Sequence, residues 1–190
     1  APYSVSPPLL KRLAEWARAE GLPLMVHAAE SPEEVAFLAR GEGPLREVYG
    51  RFAKTPWTPP GTTPVRHLHA LGVLGPTTLL VHGVQVDEEE VGLLAETGTK
   101  VVLCPRSNAN LEVGEAPLAL YAKHGVELAL GTDSRGSSPD LDVKNEARFL
   151  WGRAEPRLLV RALTRGGYRA LGLPTPRLTR GTPLSLVHFL

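Results

Sequence analysis

The sequence predicts an α/β protein organised like the second half of a (β/α)8 barrel. Short apolar stretches alternate along the chain with helical segments in the order strand, helix, strand, helix. The predicted strands are apolar throughout, which is typical of parallel strands covered on both faces. No glycine-rich nucleotide fingerprint follows a strand, so the dinucleotide-binding open sheet loses support. A complete barrel needs eight strands and about 250 residues, whereas this chain of 190 residues offers four.

The composition is that of an ordinary globular protein. Hydrophobic residues make up 43% of the chain and the net charge is +1, which is compatible with one sizeable core. No apolar run approaches the roughly 20 residues that span a bilayer, and no basic stripe favours nucleic acid. We therefore expect a cytoplasmic protein with a small-molecule partner. The single cysteine, Cys104, is expected to be a buried hydrophobe, so any metal must be bound by histidines and carboxylates.

Capping residues mark the first helix and the first strand. Ser6 as N-cap and Pro7 in the first turn open a helix, and Gly21 ends it. An apolar strand over residues 24–27 follows directly. The chain therefore enters its first strand from a helix, as a barrel unit does.

The next segment predicts a short helix and then a long loop. Ser31, Pro32 and Glu34 form a cap, a first-turn proline and a capping-box acid for a helix that reaches about Leu38. From residue 40 to residue 63 the chain is rich in Gly, Pro and Thr, which predicts a loop. Loops of this length in compact domains are functional or disordered, and we expect this one to influence specificity.

The same signals predict the remaining elements. Strands are predicted at residues 78–82, 100–103 and 126–130. Helices are predicted from Thr63 and Pro64, from Asp87 to Gly98, from about Ala116 to Gly125, and over much of residues 141–171.

Reactive side chains follow the predicted strands at their carboxyl ends. His27 closes the first strand and His82 the second, Cys104 begins the segment CPRSNANL after the third, and Asp133 lies in GTDS after the fourth. Glu30 lies three residues beyond His27. Loops from adjacent parallel strands converge at that edge, so we expect these groups to share one crevice. Two imidazoles and two carboxylates suit a divalent metal with a general acid or base beside it.

Each of these residues also has a purely structural explanation when taken alone. A histidine at a strand end is often a satisfied core residue, and Glu30 or Asp133 could face solvent or bond turn amides. Their recurrence after successive strands is what favours a site. The pair His67 and His69 is excluded as a metal pair, because residues two apart on a helix point about 200° from one another.

Four segments together resemble a known family. MVHAAES, LLVHGVQV, VVLCPRSNANL and LALGTDS are similar, in order and spacing, to the last four barrel strands of the amidohydrolase superfamily. The branch is that of cytosine deaminase and the chlorohydrolase-like enzymes, which includes adenosine-type deaminases and triazine hydrolases. The resemblance makes residues 1–171 a partial metal-dependent barrel with the family's strands five to eight. It makes residues 172–190 a return segment into a small β-sandwich domain.

The resemblance implies roles for individual residues. His27 would be the metal ligand after the fifth strand. Asp133 would be the ligand after the eighth strand and would also take the proton of the bound water. Glu30 would pass a proton to the substrate, and His82 would polarise the attacked centre or help to activate the water. Substrate contacts are expected in the last two loops, from Ser107, Asn108 and Ser134.

These roles imply a metal-dependent hydrolase that deaminates an aminated nitrogen heterocycle by means of a metal-bound hydroxide. One divalent ion is implied, zinc first, with iron or manganese compatible with the same ligands. Two alternatives stay open. The same fold could release chloride or another leaving group, or the chain could be a barrel-derived module without catalysis.

The chain departs from the family at the metal site. The family's first strand supplies an H-x-H pair, and no strand of this sequence carries one. His27 and Asp133 alone fall short of the three protein ligands usual for catalytic zinc. We therefore expect the missing N-terminal half in cis or in trans, an inactive isolated chain, and exposed strand edges that favour that half or a second copy.

Overall fold

A computed structural model describes residues 1–52, 57–175 and 180, and within them four strands form one parallel sheet. The strands are β1 (Leu24–Ala28), β2 (Thr78–His82), β3 (Lys100–Leu103) and β4 (Leu128–Leu130). Their order in the sheet is their order in the chain. Each unit adds its strand on the same side with no reversal, as in a barrel and unlike a doubly wound sheet. The predicted fold class, part of a (β/α)8 barrel, is confirmed.

Helices connect and cover the strands. They are α1 (Pro7–Ala19), α2 (Pro32–Arg40), α3 (Pro44–Phe52), α4 (Pro64–Ala70), α5 (Glu88–Thr97), α6 (Pro105–Asn110), α7 (Leu118–Lys123), α8 (Val143–Phe149), α9 (Pro156–Arg161) and α10 (Gly167–Ala170). A π-helical turn, Ala162–Gly166, joins α9 to α10. None of the described helices is both long and apolar enough to cross a membrane.

Three sequence predictions need correction. The segment from 40 to 63 is not one loop, because Pro44 opens α3 and its Tyr49 packs at 5.6 Å, between ring centroids, on Phe37 of α2. The segment after β3, where no helix was predicted, is also helical, because Pro105 starts α6. The last strand begins two residues later than predicted, at Leu128. Most of the predicted return segment, residues 176–179 and 181–190, lies outside the described residues.

The two faces of the sheet bury different side chains. Helices cover one face, which carries Val26, Leu80, Val101 and Leu128 in paired register. A separate cluster on the opposite face comprises Leu79, Val81, Val102, Cys104, Ala129 and Ala170. Burial raises the pKa of the Cys104 thiol to about 12, which agrees with its prediction as a buried hydrophobe. Met25 shares this second face and is 53% exposed, so the face is open at the β1 edge.

One glycine allows the π-helical turn to approach β4. A Cβ on Gly166 would overlap the carbonyl oxygen of Leu128, which is backbone and cannot rotate away. Its neighbour Gly167 has ordinary helical angles, φ −59° and ψ −46°, with open space around the Cβ position. The two adjacent glycines therefore differ only in how close they lie to the strand.

We expect Gly166→Ala to lower the free energy of unfolding by about 2 kcal/mol, because the added methyl forces the helix away from β4. Gly167→Ala is the matched control and should raise it by up to about 1 kcal/mol, because alanine restricts the unfolded chain. Urea unfolding of both variants measures the difference. Equal effects at the two positions would show that the close contact of Gly166 with Leu128 does not affect the free energy of unfolding.

Candidate functional site

The carboxyl ends of β1 and β2 bring two histidines and one acid together. His27 Nδ1 lies 3.2 Å from His82 Nε2, and the two rings meet edge to face at 5.0 Å. Glu30 Oε1 lies 3.6 Å from the same His82 nitrogen. His82 is fully buried, whereas His27 sits on the open edge strand. The arrangement places a buried imidazole between an accessible imidazole and a carboxylate.

Unusual backbone angles occur at or just after the carboxyl ends of β1, β2 and β4. Ala29, His82 and Asp133 have φ values of 53°, 76° and 59°, in the left-handed region that side chains disfavour. Such strain costs about 1–3 kcal/mol per residue and clusters at functional sites. Gly83 follows His82 and has no room for a Cβ, because Tyr121 Oη donates a hydrogen bond to its carbonyl oxygen at 2.5 Å. The backbone is thus held in a strained shape that sets where the side chains point.

The hydrogen bonds of His82 define how its ring is protonated. Its Nδ1 lies 2.9 Å from Asn108 Oδ1, which can only accept, so Nδ1 carries the proton. In the neutral form of the His82 ring, Nε2 accepts from the Nδ1–H of His27. This leaves a lone pair on His27 Nε2, which bonds to none of the described residues. Desolvation and the adjacent His82 lower the pKa of His27, so its ring is neutral at neutral pH, as a metal ligand must be.

Two serines hold Asp133, one from helix α6 and one from four residues further along the same loop. Ser107 Oγ and Ser137 Oγ each donate to Asp133 Oδ2 at 2.7 Å. Burial alone would raise the pKa of Asp133, but these hydrogen bonds outweigh it and lower the pKa. Asp133 is therefore a charged carboxylate with one oxygen fixed.

The donor set is suited to a divalent metal. Ligand atoms of His27, Glu30 and His82 all lie within 4.8 Å of one another. Asp133 falls outside that group in the described part of the chain, although its charge acts on His27 and partly offsets the lowering of the pKa of that ring. Neutral imidazole and carboxylate are zinc ligands, and the open nitrogen of His27 meets that requirement.

The residues expected to contact substrate lie in different surroundings. Ser107 and Asn108 are buried and bond to Asp133 and His82, respectively. Ser134 is exposed, and its Oγ accepts the backbone N–H of Gly136 at 3.2 Å. Their predicted contact with substrate stays a prediction.

Sequence reasoning missed the groups that link the last two loops. Arg106 donates to both carboxylate oxygens of Asp140 at 2.8 Å, and the fully buried Glu146 accepts the backbone N–H of Arg106 at 3.0 Å. These partners are 34 and 40 residues apart in sequence, so no local spacing signals them. Ser137 was missed for a different reason: it lies only four residues after Asp133, but no sequence motif marks the bond between the two side chains.

Glu34 has a different bond from the one its capping motif predicts. Ser31 Oγ accepts the Glu34 N–H at 3.3 Å, as a cap does. The Glu34 carboxylate, however, accepts the N–H of Glu30 at 2.8 Å rather than that of Ser31. It is 3% exposed, and burial raises its pKa to about 7.

Comparison with known proteins places this geometry in a family context. The family model described as "Amidohydrolase family" matches residues 1–189. The aminodeoxyfutalosine deaminase of Deinococcus radiodurans is 42% identical over 196 residues, covering 95% of this chain and 46% of that protein. The 5-methylthioadenosine/S-adenosylhomocysteine deaminase of Aquifex aeolicus is 31% identical over 197 residues, covering 98% and 42%. The chain therefore spans less than half the length of these relatives.

Solved structures show the same architecture. A zinc-bound adenosine deaminase from Xanthomonas campestris superposes with a TM-score of 0.72 at 30% identity, over 90% of this chain and 37% of that one. Atrazine chlorohydrolase from Arthrobacter aurescens gives 0.70 at 23% identity, over 89% and 36%, and so supports the fold alone.

The pKa of Glu34 predicts how stability changes with pH. Because folding raises this pKa from 4.5 to about 7, the unfolded chain loses the proton first, and stability falls between those pH values. Glu34→Gln removes the effect, so its stability relative to the parent should rise by about 3 kcal/mol from pH 4 to pH 8. Urea unfolding across this range measures it. A difference between the two proteins that does not vary with pH would contradict the assignment.

Proposed function

This chain belongs to the amidohydrolase family, and from that premise we propose that it forms the proton-transferring part of a metal-dependent deaminase acting on an aminated nitrogen heterocycle. The observation that carries the proposal is the cluster of His27, Glu30 and His82 at the ends of neighbouring parallel strands. The deaminases among its relatives support the reaction class. An adenosine-type compound is the substrate class we propose.

One zinc ion is the proposed cofactor, held by His27 and Asp133. When bound, it supplies a water molecule whose pKa is lowered towards 7. The neutral imidazole with an open nitrogen and the charged carboxylate support this assignment. Two ligands are fewer than the usual three, so further ligands come from outside this chain.

The chain's own residues would move two protons. Asp133, kept charged by Ser107 and Ser137, accepts a proton from the attacking water. Glu30 carries a proton to a ring nitrogen of the substrate, and the proton that Asp133 took from water passes to the amino group, which leaves as ammonia. His82 fixes the ring of His27 through their hydrogen bond and lies within reach of Glu30.

We also propose that an N-terminal barrel half, in cis or in trans, completes the site. Within the described residues β1 and β4 each pair on one side only, which leaves backbone groups unpaired at both edges. Trp151 and Val160, 67% and 56% exposed, line an apolar groove between α8 and α9. Such surface favours a covering partner, with self-association as the alternative.

Metal binding should depend on completion of the barrel. We expect the isolated chain, dialysed against zinc and then gel-filtered, to retain well under one zinc per molecule by elemental analysis. Supplied with the N-terminal half of a family member, it should retain about one zinc, because the ligand count then reaches the usual number. His27→Ala should abolish that retention. Stoichiometric zinc on the isolated chain, lost on His27→Ala, would refute the need for outside ligands.

The completed protein should release ammonia from an adenosine-type nucleoside. Glu30→Gln should reduce kcat at least a hundredfold while zinc content stays unchanged, because proton transfer contributes roughly a hundredfold or more. Ammonia and inosine-type product are measured together. Release of chloride from a halogenated heterocycle without ammonia would favour the other leaving-group chemistry, and no turnover with zinc bound would favour a non-catalytic module.

A further inference from the structure

We propose that Glu34 is a positioning residue for Glu30, which it orients by holding the peptide group between Ala29 and Glu30. The consequence for proton transfer rests on the proposed function, whereas the placement itself does not. Glu34 Oε2 accepts the N–H of Glu30 at 2.8 Å from within the protein interior. Glu34 is not itself a candidate to touch substrate.

The peptide group between Ala29 and Glu30 is fixed from both sides. Its carbonyl oxygen, on Ala29, accepts the N–H groups of Val84 at 2.7 Å and Gln85 at 2.8 Å. Its N–H, on Glu30, is bound by Glu34. The loop after β2 thus binds the carbonyl oxygen of this peptide group, and helix α2 binds its N–H on the opposite side.

The orientation of this peptide group determines the position of the Glu30 Cα, from which the side chain extends. Ala29 is left-handed, with a φ of 53°, which turns the following N–H away from the sheet ladder. No described backbone carbonyl accepts that N–H, so the Glu34 carboxylate is its acceptor. With the plane fixed, the Glu30 carboxylate lies 3.6 Å from His82 Nε2.

A second glutamate in the same chain shows what ordinary capping looks like. Glu90 occupies the same third position of helix α5 and accepts the N–H of the cap residue Asp87 at 3.0 Å. Its other oxygen is bonded by Thr63 Oγ1, so both oxygens are used. Glu34 instead passes over its own cap residue to reach Glu30.

The bond that Glu34 makes comes at a cost that capping alone does not explain. Its second oxygen, Oε1, is buried and has no partner among the described residues. A buried unpaired oxygen is destabilising. Burial and the nearby Glu30 charge both raise the pKa of Glu34, which is consistent with a group held in place at the expense of stability. We infer that this loss of stability is tolerated because the bond of Glu34 holds Glu30 in place.

The first test uses the 190-residue chain itself. Native-state hydrogen exchange is followed at the Glu30 and Asp87 amides in Glu34→Leu, Glu34→Gln and the matched control Glu90→Leu. Glu34→Leu should speed exchange at Glu30 at least tenfold more than Glu90→Leu does, and Glu34→Gln, which keeps an acceptor oxygen, should restore protection. Equal exchange at Glu30 in the two leucine variants would overturn the placement, because it would report general loss of stability only.

The second test uses the completed enzyme with zinc bound. Glu34→Leu should lower kcat roughly tenfold to a hundredfold with KM changed less than twofold, since small displacements of a reacting group cost that much. Glu34→Gln should recover most of the rate, and Glu90→Leu should leave kcat unchanged. A kcat for Glu34→Leu equal to that of Glu90→Leu would overturn the positioning role. If the parent enzyme releases no ammonia, the proposed function fails, and the exchange measurement alone decides the placement of Glu30.

Discussion

The site depends on one buried imidazole that joins three strand ends. His82 donates from Nδ1 to Asn108 of helix α6, which follows β3, and its Nε2 lies at hydrogen-bonding distance from His27 of β1. Each ring nitrogen of His82 therefore has a fixed hydrogen-bond partner. The nitrogen that is left free for a metal is Nε2 of His27, on the exposed side of the pair. Any group that displaced His82 would disturb β1, β2 and β3 together. The left-handed backbone at this residue shows that the fold accepts strain to place it.

Buried carboxylates then hold the loops around that imidazole. Glu34 and Glu146 are each at most 3% exposed, and each accepts a backbone N–H that begins a turn or a helix. A buried acid is expensive unless it is hydrogen-bonded, so each of these bonds is strongly specified in the folded state. Beyond the carboxyl ends of the strands, where backbone pairing between strands stops, these side chains hold the backbone in place.

The sequence predicted most of the framework but only part of the site's surroundings. Uniformly apolar strands and capping residues are local signals, and they located all four strands and the histidines that end β1 and β2. Helix α3 was missed because flanking Gly and Pro residues obscured Leu45, Val48 and Phe52 at helical spacing. The pair of Arg106 with Asp140 could not be predicted, since the two residues lie 34 apart in sequence. Ser137 is only four residues from Asp133, but its bond to that carboxylate depends on the shape of the loop and not on a local sequence signal. Glu34 was recognised as an acid near a cap, but its actual acceptor role follows from the left-handed turn at Ala29.

The strand order of the sheet also suggests the order in which the strands pair during folding. β2 pairs with β3 across 21 residues, from Leu79 to Lys100, and β3 pairs with β4 across 27 residues, from Val101 to Leu128, whereas β1 reaches β2 across 54, from Leu24 to Thr78. Closing the longest of these loops costs about 0.8 kcal/mol more chain entropy than closing the shortest. On that ground we expect β1 to join last, and His27 and Glu30 to join with it. Without this contact the three-stranded sheet keeps His82 but lacks His27 and Glu30, so the polar cluster is complete only once the longest of the three loops has closed.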